Sequence, residues 1–349
     1  MRNLVSRPEV GQAVFIGLDV SRTKWVLHVR WGGRDQRRLT VPPALPHLEA
    51  LLADYRGAAV HLAYEACGFG YEIAWTAARH GVAVTVVPPS TVERAPGARV
   101  KTDRLDARAL ATQLELGRLK RVHIPTRPDH AYRQLSRTYE QALKDKKRAQ
   151  ARIRALLQAH GRLGPPPRAG WPAYERWLAM QDVPTPVAHC LEELRGLRAA
   201  ALASTRRLKQ ALLAVAREAP YAPIVTAVTT QSGIGPFTAI RMRLELGDIA
   251  HFPTADAFAN YLGLVPSEHS SGERVQRGAL VKRGPGHIRG WLVQCAWASV
   301  RAATPDPGLH ACYHRLRLRA GKKRAIVAVA RRLALRVRAR WLAQRKEAA

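Results

Sequence analysis

The sequence predicts a mixed α/β domain at the amino end, followed by a mainly helical remainder. Three patterns carry that prediction. Strand-like and helix-like stretches alternate over roughly the first 120 residues. Long stretches of helical period then run from Pro128 to Ala219. The last third is marked by a Gly-Ile-Gly turn between two apolar helical patterns and closes on a basic amphipathic helix.

In order along the chain, "AVFIGLDV" reads as a buried strand and "SRTK" as the turn after it. "WVLHVRW" is a second strand, Gly32-Gly33 a hairpin turn, and "RRLTV" the end of a third strand. A helix follows at "ALPHLEALLADYRG", then a strand at "AVHLAYE", a helix at "GYEIAWTAARHG" and a strand at "VAVTVVPP". A further helix opens at Asp103. Three strands, helix, strand, helix, strand, helix is the order of the ribonuclease H-like fold, in which an antiparallel meander continues into a parallel crossover sheet.

The middle segment predicts one long helix over "AYRQLSRTYEQALKDKKRAQARIRALLQAHG", with Tyr132, Leu135, Tyr139, Leu143, Ile153 and Leu157 on its apolar side and a charged interruption near Lys146. After a Pro- and Gly-rich bend, Ala201, Thr205, Leu208, Leu212 and Val215 recur at alternating four- and three-residue steps, as in a coiled-coil seam. A helical arm that links or dimerises is one reading; a hairpin packed on the body is the other. In the last third, the exposed N–H groups of the turn holding Gly233 and Gly235 suit a helix-hairpin-helix contact to phosphate, the alternative being a plain tight turn. From Arg315 to Lys346 there are thirteen basic residues and no acid, with Ile326, Val329, Leu333, Val337 and Trp341 as the apolar face. One sign of charge over that length, including Lys322, Lys323 and Arg324, reads as a phosphate-facing surface. The expected division is 1–124, a ribonuclease H-like domain; 125–220, a helical coiled-coil arm; and 221–349, a mainly α-helical C-terminal domain with a helix-hairpin-helix-like turn.

The totals limit the partners. Lys and Arg number 57 against 26 Asp and Glu, a net charge of +31. Such an excess points to a polyanion, with nucleic acid ahead of an anionic membrane surface. No apolar run approaches the ~20 residues of a membrane span, and "MRNLVSRPEV" lacks a signal-peptide core. Cys67, Cys190, Cys295 and Cys312 are scattered with no CxxC pair, which disfavours a zinc site and fits a reducing, nucleoid-associated cytoplasmic setting. Any metal is then expected on oxygen ligands.

In so basic a chain the acids stand out. Asp19 ends the first strand, Glu65 the fourth, and Asp103 and Asp106 lie three residues apart at the start of the helix in "VKTDRLDARALA". Individually they read as a turn former, a helix-start acid and two caps. Together they sit where a ribonuclease H-like sheet gathers metal ligands, and two Mg²⁺ ions about 3.5–4 Å apart would need such a set of hard oxygens.

The run "GLDVSRTKW … YEACG … KTDRLDARALA" resembles the N-terminal RuvC-like domain of the DEDD transposases, the insertion-sequence family one-hundred-and-ten enzymes known as bridge-RNA-guided recombinases. "SGIGPFTA", "LGLVPSEHSSGE" and "KRGPGHIRGWL" are similar to that family's second domain, in the same order over nearly the whole chain. The resemblance implies that Asp19, Glu65, Asp103 and Asp106 are a Mg²⁺-binding tetrad, Mn²⁺ being a possible substitute. It also implies a serine nucleophile at Ser271 or its neighbour Ser270, the former matching the family's Ser-Gly context. Arg274, Lys282, Arg283 and Arg289 surround that serine and would hold the scissile phosphate or guide RNA. The partners implied are donor and target DNA, a noncoding guide RNA and further copies of the chain, as dimer or tetramer. A junction-resolving endonuclease that uses water, and a non-catalytic nucleic-acid-binding relative, are the competing readings.

Overall fold

The computed structural model describes residues 7–88, 103–268, 277–281 and 284–347. It forms two compact units, residues 1–126 and 127–349.

The first unit is built on a five-stranded sheet in the order β3-β2-β1-β4-β5, from β1 (Ala13–Val20), β2 (Trp25–Trp31), β3 (Arg34–Val41), β4 (Ala59–Glu65) and β5 (Ala83–Val87). β1, β2 and β3 pair antiparallel, while β4 and β5 continue from β1 in parallel. This is the ribonuclease H-like topology predicted above. The connecting helices are α1 (Leu45–Ala53), α2 (Glu72–Arg79) and α3 (Asp103–Glu115). β2 is buried along its whole length, and Val14, Ile16, Leu18, Leu27, Val29, Leu62 and Tyr64 form the centre of the core with Leu48, Leu52 and Ile73 from the helices.

Helix α3 lies against β1 at backbone distance, and Gly17 is the reason. A Cβ at Gly17 would stand 2.0 Å from the Ala107 carbonyl oxygen and 2.5 Å from the Ala111 nitrogen, so any side chain there would push the helix away. The C-terminal end of α3 is tied down separately. Glu115 accepts hydrogen bonds from Arg30 Nε at 2.9 Å and from the Gly33 backbone at 3.0 Å, at the β2–β3 turn. Around the same turn, Asp35 meets Arg30, His28 at 3.1 Å and Arg108 at 2.8 Å. Burial works to raise the Asp35 carboxyl, but His28, Arg30 and Arg108 hold it below its usual range.

The second unit is helical: α4 (Arg127–Ala159), α5 (Gly170–Leu178), α6 (Thr185–Val215), α7 (Ala222–Thr229), α8 (Pro236–Leu246), α9 (Ala255–Tyr261), α10 (Gly286–Arg301) and α11 (Pro307–Glu347), the last kinked at Gly321. A short antiparallel ribbon joins β6 (Pro266–Glu268) to β7 (Arg277–Leu280). α4 and α6 run alongside each other in opposite senses. Ile153 and Leu157 share a small core with Tyr174, Val187 and Leu191 at one end, while Tyr132, Leu135, Leu212 and Val215 join the main core at the other.

Residues 127–349 form one compact unit in which the roots of α4 and α6 supply part of the core. Arg241 is the most enclosed cation of that core. It packs 3.8 Å above the Trp291 ring, with Tyr139 and Phe237 close by, and pairs with Glu140 while donating to Ser136. The apolar face read in the final helix is also real: Ile326, Val329, Leu333, Val337 and Trp341 are all buried.

Candidate active site

The sheet's register places the first two carboxylates. Across the β1–β4 pair every residue is matched with the one 46 positions later, from Ala13 with Ala59 to Leu18 with Tyr64. One further step sets Asp19 beside Glu65, on strands about 4.8 Å apart. Residues two apart on a strand share a face, so both acids lie on the face of Gly17 and Ala63, the face that α3 covers. Both side chains are half-buried. Cys67 lies close to the pair: burial pushes its thiol up, and the charges of Asp19 and Glu65 push it further. The turn after β1 is held by Ser21, whose hydroxyl donates to the Lys24 carbonyl at 2.5 Å and accepts from the Lys24 amide at 3.1 Å. The turn after β4 is held by Tyr64, which donates to the Gly70 carbonyl at 3.1 Å.

The direction of α3 brings in the other two acids. Its C-terminal Glu115 is anchored beside Arg30, which pairs with Phe15 near the start of β1, and its middle sits on Gly17. Its N-terminal turn, beginning at Asp103, therefore lies toward the end of β1 that carries Asp19. The amino end of a helix also favours negative charge through its dipole. Asp106 is half-buried on that turn, whereas the Asp103 side chain lies outside the described residues. Among the described residues no three potential metal ligands form a cluster, so the geometry unites Asp19 with Glu65 and does not bring Asp106 into contact with both. The donors present are hard carboxylate oxygens, the set suited to a divalent cation of the magnesium type.

The second set of predicted residues fares differently. Ser270, Ser271 and Arg274, between β6 and β7, and Lys282 and Arg283, after β7, lie outside the described residues. Arg289 is described, and its Nη1 donates to the carbonyls of Leu262 at 3.1 Å, Val281 at 3.4 Å and Gly263 at 3.5 Å. It thereby ties together the chain on both sides of the serine segment, a structural task that the sequence did not reveal. Gly233 is likewise explained by packing. It has φ +87°, and a Cβ there would stand 2.4 Å from the Cys295 carbonyl oxygen on α10. Gly235 caps α8 from an exposed position, with nothing within 4 Å of where its Cβ would be.

The basic final helix is only partly a free surface. Arg331 pairs with Asp256 at 2.9 Å, Arg336 with Asp306 at 2.5 Å and Arg345 with Asp248 at 3.1 Å. Arg338 donates to the Phe252 carbonyl at 2.6 Å, and Arg340 to Thr230. Lys322, Lys323 and Arg324, just past the kink at Gly321, are exposed. Among the described residues, no helix is long and apolar enough to cross a membrane.

The chain is similar to known transposases. Residues 16–161 match a DEDD-type transposase family model, and residues 225–314 match that of the IS116/IS110/IS902 transposase family. A Sinorhizobium fredii protein described as "Putative transposase y4qE" is 29% identical over 293 residues, covering 81% of this chain and 71% of its own. A Pseudomonas aeruginosa "Probable family 20 transposase" is 28% identical, covering 69% of this chain and 71% of its own. Among solved structures, Thermus-type RuvC, described as "T. thermophilus RuvC in complex with Holliday junction substrate", aligns at 17% identity and a TM-score of 0.25, over 32% of this chain and 99% of that one. With a DEDD-type match over the sheet unit and a second match of the same family over the helical unit, the chain belongs to the IS110 family of DEDD transposases.

Proposed function

We propose that this transposase cleaves and rejoins DNA with Mg²⁺ held by Asp19, Glu65, Asp103 and Asp106, and with Ser271 as nucleophile, Ser270 being the alternative. The observation that carries the reading is the register of β1 and β4, which sets Asp19 beside Glu65 on the face covered by α3. Two carboxylates fixed that closely repel each other, and a cation bound between them relieves that repulsion. The bound cation would supply charge neutralisation at the phosphodiester. The work of the chain's own residues is to place the oxygens: Asp19 and Glu65 from the strand ends, Asp103 and Asp106 from the first turn of α3.

The serine step balances without an external energy source. Ser271 Oγ forms a bond to phosphorus and gives up its proton, while the bond from phosphorus to one strand oxygen breaks and that oxygen takes up a proton. Rejoining is the reverse attack by a strand hydroxyl, which returns the serine. The family context extends the proposal to a structured noncoding RNA guide and a homo-oligomeric assembly, and the net charge of +31 suits two nucleic-acid partners at once.

The test is covalent trapping. Protein, the RNA encoded beside its gene and labelled DNA are incubated with Mg²⁺ and run on a denaturing gel, beside Ser270→Ala, Ser271→Ala, Asp19→Asn and Asp103→Asn. A protein–DNA adduct lost in Ser271→Ala and in both aspartate variants is expected. Cleavage without an adduct, indifferent to both serines, would make the chain a water-using nuclease instead.

A further inference from the structure

The α4–α6 pair contains a break that apolar packing does not explain. Inward positions along α4 run through Leu135, Tyr139, Ala142, Lys146, Ala149 and Ile153, at alternating steps of four and three. Those along α6 run through Val187, Leu191, Leu194, Arg198 and Thr205. Because the two helices are antiparallel, Lys146 and Arg198 meet at the same level, a place where a seam ordinarily holds leucine. Burial pushes the Lys146 ammonium below its usual value, and the charges of Arg198 and Lys147 add to the effect. Arg198 lies 4.4 Å over the Trp171 ring and 3.2 Å from Glu175, a carboxylate it shares with Arg195. Its Nε is buried with no hydrogen-bond partner.

The surface around the break is predominantly basic, the acids beside it being Glu175, paired with Arg195 and Arg198, and Glu192 and Glu193 one to two turns along α6. Between Lys144 and Arg154 there are six basic residues and one acid, and between Arg195 and Lys209 five basic residues and no acid. The single acid, Asp145, is paired with Arg148 at 2.8 Å. Lys144, Lys147, Arg148 and Arg152 recur at helical spacing on one exposed face of α4. Neither stretch contains an aromatic residue, and the nearest rings, Trp171 and Tyr174, are already covered by Arg154 and Arg198, so little platform is left on which unpaired bases would stack. At ~1.5 Å per residue each stretch is roughly 15–20 Å long, and because the antiparallel pair offsets them they together cover about 30 Å, close to one turn of duplex.

We propose that this length of the α4–α6 pair seats the sugar–phosphate backbone of duplex DNA, with a phosphate facing the Lys146–Arg198 break. The seat reads no sequence; it positions a duplex for chemistry performed elsewhere on the protein. The inference rests on the reading of the chain as a DNA-acting transposase, and it makes the break a functional feature retained at some cost in stability.

The test is binding without chemistry. Full-length protein is titrated against a labelled 30-base-pair duplex of arbitrary sequence, without divalent cation, from 50 to 300 mM NaCl, and against a single-stranded RNA of the same length. The variant Lys144→Gln, Lys147→Gln, Arg152→Gln, Arg206→Gln removes four exposed charges. Its plot of log affinity against log salt should be shallower by about 3–4 for the duplex, at ~0.9 per phosphate contact. Lys146→Leu restores the seam and keeps the surface charges. It should melt about 2–4 °C higher while binding duplex more weakly. An unchanged salt slope in the fourfold variant overturns the proposal, as does a loss confined to RNA, which would make RNA the occupant. Unchanged duplex affinity in Lys146→Leu also counts against it. Because no metal is present, failure of the proposed cleavage chemistry leaves this measurement untouched.

Discussion

The acidic edge of the sheet and the basic break in the α4–α6 pair both hold like charges side by side, and they do so by different means. Asp19 and Glu65 are short side chains on neighbouring strands whose register is set by backbone hydrogen bonds, so neither can move far from the other. Lys146 and Arg198 sit at inward positions, Arg198 against Trp171 and Glu175, while the long Lys and Arg side chains of the surrounding patch are exposed, so most of those charges can turn toward water. The first arrangement suits a compact divalent ion, the second an extended polyanion. A third kind of place separates the two from ordinary structure. Arg30 with Asp35 and Glu115, and Arg241 with Glu140, are opposite charges that satisfy each other inside the protein. The comparison teaches that clustered like charges on rigid elements mark where a ligand of opposite charge can add to the electrostatics, whereas enclosed ion pairs mark scaffold.

That contrast predicts effects of different size for charge removal. The largest effect is expected at Arg241, which is 5% exposed and packed among three rings. Arg241→Ala should destabilise the helical unit by about 3–5 kcal/mol, because it removes the counter-charge of Glu140, leaving the Trp291 indole N–H as a neutral donor to it, and opens a void between the rings. Chemical denaturation measures this, and an effect below about 1 kcal/mol would break the distinction between scaffold and ligand sites.

A smaller loss is expected at Gly17. Gly17→Ala should cost on the order of 1–3 kcal/mol by forcing α3 off β1, and it should depress DNA cleavage more than duplex binding. Equal losses in both would show that α3 does not control the placement of the acids. The smallest effect on stability is expected at Glu65. Glu65→Gln keeps the shape of the side chain and should change stability by no more than about 0.5 kcal/mol while abolishing cleavage. Retained cleavage would take Glu65 out of the metal-binding set.

Much of this was legible from residue pattern. Strand boundaries at "AVFIGLDV", "WVLHVRW" and "AVHLAYE" follow from runs of β-branched and aromatic residues closed by turn formers, and the structure reproduces all three. The apolar stripe of the final helix was equally readable, because a 3.6-residue period survives whatever the helix packs against. The roles of Arg289 and Gly233 were not. A guanidinium that caps distant carbonyls and a guanidinium that holds phosphate look the same in sequence, and the Gly-Ile-Gly turn does not announce the α10 backbone lying 2.4 Å from where its side chain would begin.

The division follows the range of the interactions concerned. By itself the sequence determined the order of strands and helices, the four acids at element ends, the charge that calls for nucleic acid and the resemblance to DEDD transposases, all of which are local or summed properties. Only the tertiary structure decided that Asp19 and Glu65 stand in register under α3. It also decided that five arginines of the final helix are tied down within the chain and that Lys146 faces Arg198. Those are contacts between residues tens to more than a hundred positions apart, and only backbone register and helix packing determine which distant side chains meet.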